Sequence, residues 1–580
     1  MTDSLVEAGT MEEIRSAGRK VVRVDGRLVL VLHHDGKFFA LDNRCPHMGF
    51  PLDTGDVHDG LLDCHWHHAR FDISCGATLD PWADDVDSYR VVVKDERVFV
   101  DPELPPRDPR EHGLARLERG LEDNLRLVTA KAVLELAGGN IDPAEPIGAA
   151  ALFGATEREE GWSSGLSILS AMANVLPSIA DRDRARALVH AIARIAGDCA
   201  GRPPRRPLPP LTGSRRGKDG LRDWLRETVE VRDRDGADRV LRTIATELGP
   251  TAALDAVLAS VTDHRYSDIG HTLDFALKCA EVIDQLGEPA PPDGAALLFT
   301  SLVPQLVQMQ RMEETSAWRR PVDVATLVST AEPSIPSGPF EHPADEPLAD
   351  EEALVERLLE EDPAATVDDL MARLASGASP IALAEAVVMA ATQRILDFGT
   401  ANEFRDWDTV HHTLTYANAV AEGMRRVPSP ELFRAVLDGA MSVYLDRFLN
   451  TPPANPLARV EPAASADGLL DELLAAYDRR SAVDEATHLA WQHLEAGGDP
   501  RALLETLGKA VVREDSGFHE FQQLDIAWRR LARRGPGRPA NLALTATARW
   551  IAAQYPTRRA QEQTFMIAYR LNRGDAIHDG

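Results

Sequence analysis

Short apolar runs separated by polar turns dominate the first hundred residues, and they predict a small β domain. Asp35-Gly36 and the polar segment 94–96 each separate two such runs, as hairpin turns do. The apolar runs are 21–24, 28–32, 38–41, 91–93 and 97–100.

Beyond this region the pattern becomes that of helices. Ala, Leu, Arg and Glu dominate, and apolar residues recur three and four positions apart, as at Leu254, Val257 and Leu258. Two Pro-rich charged segments predict linkers. The expected fold is therefore multidomain, with a small all-β domain and a large all-α region. The expected segments are 1–102 (β domain), 103–112 (linker), 113–331 (first helical half), 332–350 (Pro- and acid-rich linker) and 351–580 (second helical half).

The two helical halves share a sequence pattern that predicts an internal duplication. The Asp-Gly-Leu of 219–221 recurs 248 residues later at 467–469, and the His-Thr-Leu of 271–273 recurs at 412–414. Repeats of this kind stack on their neighbours. Because the period is irregular, we expect a compact all-α domain with pseudo-twofold symmetry. Its four units centre near Ser164, His271, His412 and His519.

Length and charge exclude several functional classes. At 580 residues the chain is too long for a single core. The formal net charge of −29 argues against nucleic-acid or anionic-membrane partners. No apolar run is long enough to span a bilayer, no basic leader precedes an apolar stretch, and five cysteines suggest no disulfide framework. We expect a cytoplasmic protein.

Two short segments each combine one cysteine with one histidine. They are Cys45-x-His47 and, after sixteen further residues, Cys64-x-x-His67. Thiolates of Cys45 and Cys64 on one iron, with imidazoles of His47 and His67 on the other, are what a Rieske [2Fe-2S] cluster needs. Zinc is the less favoured alternative, because Cys2His2 zinc sites usually pair Cys with Cys and His with His along the chain.

With its flanking strands and glycines, this pattern resembles the Rieske ferredoxin family over roughly residues 3–102. The resemblance implies a one-electron carrier near the low end of the Rieske range, roughly −150 mV, because neither loop has the extra cysteine of high-potential members. His68 stands where the family usually has Gly. No Gly-rich nucleotide motif follows a predicted strand, so we expect an external NAD(P)H-dependent reductase or ferredoxin as electron donor.

Three of the four helical units place a histidine at the same position, and these histidines are candidate ligands of a second metal, non-haem iron. Equivalent helices can direct equivalent side chains into one pocket, where a carboxylate would complete a 2-His-1-carboxylate set. In the alternative interpretation each histidine only bonds a neighbouring unit. We expect the adjacent His411 to face another side and to be exposed. The candidate histidines are His271, His412 and His519, and the candidate carboxylates are Asp274, Glu281, Glu422 and Glu520.

Two further patterns favour packing or surface roles over metal binding. Glu485-x-x-His488-x4-His493 has the spacing of a Rieske oxygenase iron motif, but positions i and i+5 of a helix diverge. His190 with Asp198 is the second pattern.

The helical region also resembles the questin-oxidase-like family, helical oxygenases that open quinonoid rings. The Gly-Ala-Ser-Pro of 377–380 and the His-x-Leu-x-aromatic patterns at His271 and His412 carry this resemblance. We therefore expect an oxygenase in which the cluster feeds electrons to a site in the helical region that acts on a small organic substrate. Two alternatives stay open. One is a non-catalytic electron-transfer or redox-sensing protein whose repeats bind a partner protein. The other is a cofactor-free pocket beside a structural cluster.

Overall fold

The structure is a computed structural model, and it divides the chain into two compact units. The first contains Met1–Pro146 and Ala560–Gly580, and the second contains Ile147–Arg559. The described residues are 5–104, 106–214, 216–286, 293–315, 320–450 and 452–575. Residues 1 and 580, at which the predicted segments begin and end, are not among the described residues.

Three small antiparallel sheets form the β domain of the first unit. Their strand orders are β1-β10-β9, β2-β3-β4-β8 and β5-β6-β7. The strands are β1 (Val6–Thr10), β2 (Arg19–Val24), β3 (Arg27–His34), β4 (Lys37–Asp42), β5 (Asp56–His58), β6 (Leu61–Asp63), β7 (Arg70–Asp72), β8 (Ser88–Tyr89), β9 (Val91–Lys94) and β10 (Arg97–Val100).

Helices make up most of the rest of the described chain, as predicted. They are α1 (Met11–Ala17), α2 (Pro109–Glu122), α3 (Arg126–Gly138), α4 (Ala144–Thr156), α5 (Ser164–Val175), α6 (Asp181–Cys199), α7 (Lys218–Glu230), α8 (Arg234–Glu247), α9 (Pro250–Thr262), α10 (His271–Asp284), α11 (Gly294–Thr300), α12 (Val303–Gln308), α13 (Val324–Ala331), α14 (Glu351–Leu359), α15 (Pro363–Ala375), α16 (Pro380–Leu396), α17 (Phe404–Arg426), α18 (Pro430–Asp446), α19 (Leu469–Ala476), α20 (Val483–Glu495), α21 (Pro500–Arg513), α22 (Phe518–Arg534), α23 (Arg538–Gln554) and α24 (Ala560–Arg573). None of the helices in the described part of the chain is both long and apolar enough to cross a membrane.

Asp-Gly turns set the register of the sheets. At Asp25-Gly26 and Asp35-Gly36 both residues have positive φ, from 45° to 83°. Turns of this kind match the twist of the flanking strands. They join β2 to β3 and β3 to β4. Both faces of β3 are buried, because Leu30 and Leu32 pack in one core cluster and the alternate Val29 and Val31 pack in another.

The first unit also contains three helices that the sequence assigned elsewhere. α2 begins at Pro109, inside the predicted linker, because the Asp108 side chain accepts a hydrogen bond from the Arg110 N–H (2.9 Å) and caps the helix. α3 packs against both α2 and α24. The structure therefore groups residues 103–146 and 560–575 with the β domain rather than with the helical halves. Helical periodicity reveals an apolar face but not the element that covers it.

The second unit is all-α, and its helices follow the order that the duplication predicts. α6 to α10 and α18 to α22 occur in the same sequence, each helix close to the 248-residue offset from its counterpart. At the centre lie α5, α10, α17 and α22, one from each predicted unit. α5 packs on α10 and α22, and α17 packs on the same two helices.

A buried cluster of charged side chains joins three of these central helices, α10, α17 and α22. We call it the central ion network. The Lys278 ammonium lies 2.9 Å from Glu281, and the Arg529 guanidinium lies 2.8 Å from Glu281 and 3.0 Å from Glu422. All are at most 5% exposed. Buried charges are tolerated only when each is paired, as here. The network consists of Lys278, Glu281, Glu422, Asp525 and Arg529.

Candidate metal centres

Two six-residue loops, 45–50 and 64–69, carry the four candidate cluster ligands. In each loop the N–H of the first residue donates to the carbonyl of the last residue, at 2.8 Å in both. The N–H of the fifth residue donates to the carbonyl of the first, at 2.7 and 2.8 Å. The two loops therefore share one backbone hydrogen-bond pattern, which directs both cysteines to the same side.

The fifth residue of each loop adopts a left-handed backbone. Gly49 has φ +77° and His68 has φ +63°. Glycine adopts this conformation without strain, whereas a residue with a Cβ does not. His68 thus occupies a position whose backbone conformation favours glycine, and its side chain is exposed.

The geometry of the four side chains fits a [2Fe-2S] cluster. Cys45 and Cys64 are 2% and 1% exposed, and the ring centroids of His47 and His67 lie 4.6 Å apart. His47 Nδ1 is buried with no hydrogen-bond partner among the described residues, so it is free to bind iron. His67 is exposed, which brings one of the four candidate ligands to the surface.

The electrostatics of the two loops favour the metal-binding forms of His47 and Cys64, whereas the hydrogen bond with Cys64 and burial raise the pKa of the Cys45 thiol. Burial lowers the pKa of His47 to about 4, helped by the charges of His67 and Lys131. The pKa of the Cys64 thiol falls to about 6 because Cys45 and backbone N–H groups of loop 64–69 hydrogen-bond to it. Neutral imidazole and thiolate are the ligand forms that iron requires. Cysteines 45 and 64 would hold one iron, and the two histidines the other.

Tryptophans flank both imidazoles. The Trp82 ring centroid lies 4.8 Å from that of His47, and the Trp66 centroid lies 5.7 Å from that of His67. Trp66 is 54% exposed and stacks on Phe50. The imidazoles are therefore held between rigid rings.

In the second unit, the three predicted histidines come together. His271 is the first residue of α10, His412 lies within α17, and His519 is the second residue of α22. One candidate ligand atom from each lies within 4.8 Å of the others. His412 Nε2 and His519 Nε2 are 3.1 Å apart. We call this group the three-histidine cluster.

Two members of the three-histidine cluster, His271 and His412, are poorly protonated at neutral pH. Burial, together with the charges of the neighbouring imidazoles, lowers the pKa of His271 to about 3 and that of His412 to about 2. A neutral imidazole presents a lone pair to a metal ion.

Two further side chains adjoin this cluster: Asp408, which sequence analysis missed, and His411, which it expected to be exposed. Asp408 Oδ1 lies 3.4 Å from His519 Nδ1. His411 is fully buried, stacks on Trp550 at 4.3 Å, and lies 4.9 Å from the His519 ring. The predicted exposure of His411 was wrong, because α17 is a central helix with no wholly solvent-facing side. Repeat comparison could not reveal either residue.

The predicted carboxylates do not join the three histidines. The described residues of the group include no carboxylate. Glu281 and Glu422 belong to the central ion network, Asp274 accepts a hydrogen bond from Gln522, and burial raises the pKa of Glu520. The arrangement is thus three imidazoles rather than two and a carboxylate.

The turn before His271 is strained. Tyr266, Asp268 and Ile269 have φ of +46°, +49° and +53°, a region that β-branched residues such as Ile269 rarely adopt. Asp268 exchanges two hydrogen bonds with Gln310, of 2.7 and 3.0 Å, which hold the turn in place. Such strain, of order 1–3 kcal/mol per residue, accumulates where surrounding contacts fix a functional position. Here it fixes the start of α10.

The two weaker sequence patterns do not converge on a site. Their polar groups contact other partners: Glu485 with Arg479 (2.7 Å), His493 with the Asp499 carbonyl (3.2 Å), His190 with the Val512 carbonyl (2.8 Å) and Asp198 with the Gly165 N–H (2.8 Å).

Lys131 on α3 was also missed. It is only 7% exposed and donates to the Pro46 carbonyl, inside loop 45–50. Its Nζ lies 3.7 Å from Asp84. A lone charge within an otherwise apolar stretch of helix was the available signal.

Comparison with known proteins places the first domain. Residues 4–90 match the family model of the Rieske [2Fe-2S] domain. The 3-phenylpropionate/cinnamic acid dioxygenase ferredoxin subunit of Photorhabdus laumondii is 34% identical over 93 residues, which are 16% of this chain and 88% of that protein. Human Apoptosis-inducing factor 3 is 35% identical over 96 residues, 16% of this chain, and the match spans only 14% of that relative's length.

Similar ferredoxins occur among the solved structures. The ferredoxin of carbazole 1,9a-dioxygenase from Nocardioides aromaticivorans IC177 is 29% identical, covers 17% of this chain and 99% of its own, and has a TM-score of 0.17. The family match and the Photorhabdus relative, together with two loops that fit the cluster, lead to one conclusion: through residues 4–90, the chain belongs to the Rieske [2Fe-2S] family.

Proposed function

We propose that the chain is an oxygenase whose Rieske cluster supplies electrons to a second metal site in the helical unit. Cys45, His47, Cys64 and His67 hold the cluster. The three-histidine cluster holds iron, and the substrate is a small organic molecule. The convergence of three imidazoles, with ligand atoms within 4.8 Å of one another, carries this proposal.

The relatives support the electron-transfer half of the proposal. Several are ferredoxin components of dioxygenase systems by name. In this chain an external NAD(P)H-dependent reductase or ferredoxin delivers single electrons to the cluster. An electron donor on the same chain as its acceptor has a high effective concentration. This advantage explains why the Rieske domain and the helical unit share one chain.

The distances in the three-histidine cluster support metal binding. Metal–nitrogen bonds of about 2.0–2.1 Å place two nitrogens of one ion about 3 Å apart. The 3.1 Å between His412 Nε2 and His519 Nε2 satisfies this requirement. Asp408 can accept from His519 Nδ1–H and so keep Nε2 available as a ligand. Three protein ligands also leave coordination positions for molecules from solution.

The surroundings suit an organic substrate. The rings of Phe275 and Phe518 lie 5.5 and 5.4 Å from that of His271 and give the cluster an apolar flank. His271 and His519 are only partly buried, so a small molecule can reach them. Iron bound there would activate dioxygen with electrons from the cluster.

Metal analysis of the full chain tests the proposal. We expect three irons per chain after anaerobic purification, two from the cluster and one more. His412→Ala should contain two irons and keep the Rieske spectrum. His488→Ala, which changes a half-buried histidine of the same unit outside the cluster, should still contain three.

Two results would contradict the second metal site. Two irons in the wild-type chain, with no other transition metal, would favour the electron-transfer or redox-sensing alternative. A third metal that survives His412→Ala would show that the ion binds elsewhere.

A further inference from the structure

A buried lysine outside the β domain contacts the first cluster loop. Lys131 of α3 donates to the carbonyl of Pro46, the residue between the ligands Cys45 and His47. Lysine is almost never buried without a purpose or a partner, because desolvating its charge is costly. Its place on α3 therefore needs an explanation.

The negative charge beside Lys131 is shared with other cations. Asp84 lies 3.7 Å from Lys131, but it lies closer to Arg116, at 2.9 Å, and also has Arg119 at 3.9 Å. Glu135 is paired with Arg116 at 2.8 Å. These three cationic side chains thus share two carboxylates, and Asp84 is not a partner of Lys131 alone. Burial lowers the pKa of Lys131 to about 8, which leaves it mainly protonated at neutral pH.

A fixed positive charge favours the reduced form of a nearby cluster. One-electron reduction adds a negative charge to the cluster, and the interaction of that charge with an ammonium is strong where the site is shielded from water. Charge near an iron–sulfur cluster is one of the factors that set its potential.

We propose that Lys131 is a positioning and redox-tuning residue, whose ammonium, held on the Pro46 carbonyl, raises the reduction potential of the Rieske cluster. The tuning charge comes from a helix that follows the β domain. This inference rests on the assignment of the four cluster ligands and is independent of the second metal site.

Redox titration of the full chain at pH 6, with dithionite as electron donor and electron paramagnetic resonance as readout, tests the role. Lys131→Met should lower the reduced-to-oxidised ratio about tenfold at the wild-type midpoint, a shift of about 59 mV for one electron. Lys131→Arg keeps the charge and should titrate near the wild type. A purely structural lysine would not change the potential in this charge-dependent way.

Asp84→Asn tests the same electrostatic effect, with an expected midpoint shift opposite to that of Lys131→Met. Asp84 has φ +71°, which asparagine tolerates, and loss of its charge should raise the midpoint. A Lys131→Met midpoint equal to that of the wild type would overturn the proposal. If that variant loses its cluster, an Asp84→Asn midpoint that does not rise would overturn it instead. Absence of the Rieske signal from the wild type would refute the cluster assignment rather than the role of Lys131.

Discussion

At the scale of single residues, His68 is the simplest case of a residue whose backbone conformation does not suit its side chain. It adopts a left-handed conformation in loop 64–69 at the position that Gly49 occupies in loop 45–50. Its side chain is exposed, so few contacts compensate for the strain. Loop 64–69 therefore bears a left-handed strain at this position that loop 45–50, with Gly49, does not.

Replacing this residue should strengthen the loop. We expect His68→Gly to stabilise the β domain by about 1 kcal/mol, because glycine removes the left-handed strain but loses more chain entropy. The measurement is the temperature at which the Rieske absorbance disappears. Gly49→Ala is the matched control and should lower that temperature. A lower temperature for His68→Gly would mean that the imidazole makes a stabilising contact.

Asp446 makes the stability of the helical unit depend on pH. Burial raises its pKa to about 8, although Thr413 and Arg394 partly oppose the shift. An unfolded aspartate ionises near pH 3.9. Between about pH 4 and 8 the folded state therefore binds the extra proton, and stability falls by about 1.4 kcal/mol per pH unit from this group alone.

The urea midpoint of the helical signal at pH 5.5 and 7.5 measures this effect. The drop between the two values should be smaller in Asp446→Asn than in the wild type. Asp198→Asn changes the equivalent residue of the other half, which is hydrogen-bonded at the start of α5, and serves as control. Equal drops in the wild type and Asp446→Asn would show that Asp446 ionises normally.

At the scale of elements, the central ion network connects α10, α17 and α22. Arg529 contacts carboxylates from all three helices. Each of these charged side chains is desolvated in the folded state. The free energy of unfolding therefore depends on the oppositely charged partners that compensate it. The central helices should therefore unfold together.

Removal of this arginine should be costly. We expect Arg529→Met to destabilise the helical unit by about 3–5 kcal/mol, because it leaves buried carboxylates uncompensated. Urea unfolding followed by far-ultraviolet circular dichroism gives the free energy. Arg479→Met breaks an exposed pair with Glu485 and should cost less than about 1 kcal/mol. Similar losses in both variants would contradict a special role for burial.

At the scale of the whole molecule, the cluster and the helical unit should be separable. The two units have their own internal packing. We expect His67→Ala to abolish the visible and paramagnetic Rieske signals while the helical circular dichroism and its urea midpoint stay unchanged. His65→Ala, in the same loop, should retain both signals. Survival of the Rieske spectrum in His67→Ala would refute the ligand assignment.

The sequence predicted what depends on local spacing or repetition. The Cys-x-His and Cys-x-x-His segments predicted the two loops that carry the candidate cluster ligands, and these loops share one backbone pattern. Asp35-Gly36 correctly predicted a hairpin. The repeat identified His271, His412 and His519, which the structure brings together.

Long-range packing could not be predicted in this way. The burial of His411 depends on α22 and α23, more than a hundred residues away in sequence. Likewise, the contact of Lys131 with loop 45–50 depends on how α3 packs against the β domain. The predicted carboxylates fail for the same reason, since the central ion network recruits Glu281 and Glu422.

The two tryptophans beside the imidazoles make the intrinsic fluorescence of the chain sensitive to a bound cluster. Trp82 and Trp66 are within 6 Å of His47 and His67, ring to ring. A bound iron–sulfur cluster at that distance quenches the fluorescence of the indole rings. Tryptophan fluorescence should therefore increase when iron is lost. Fluorescence measurements alone could then follow the binding and loss of the cluster over time.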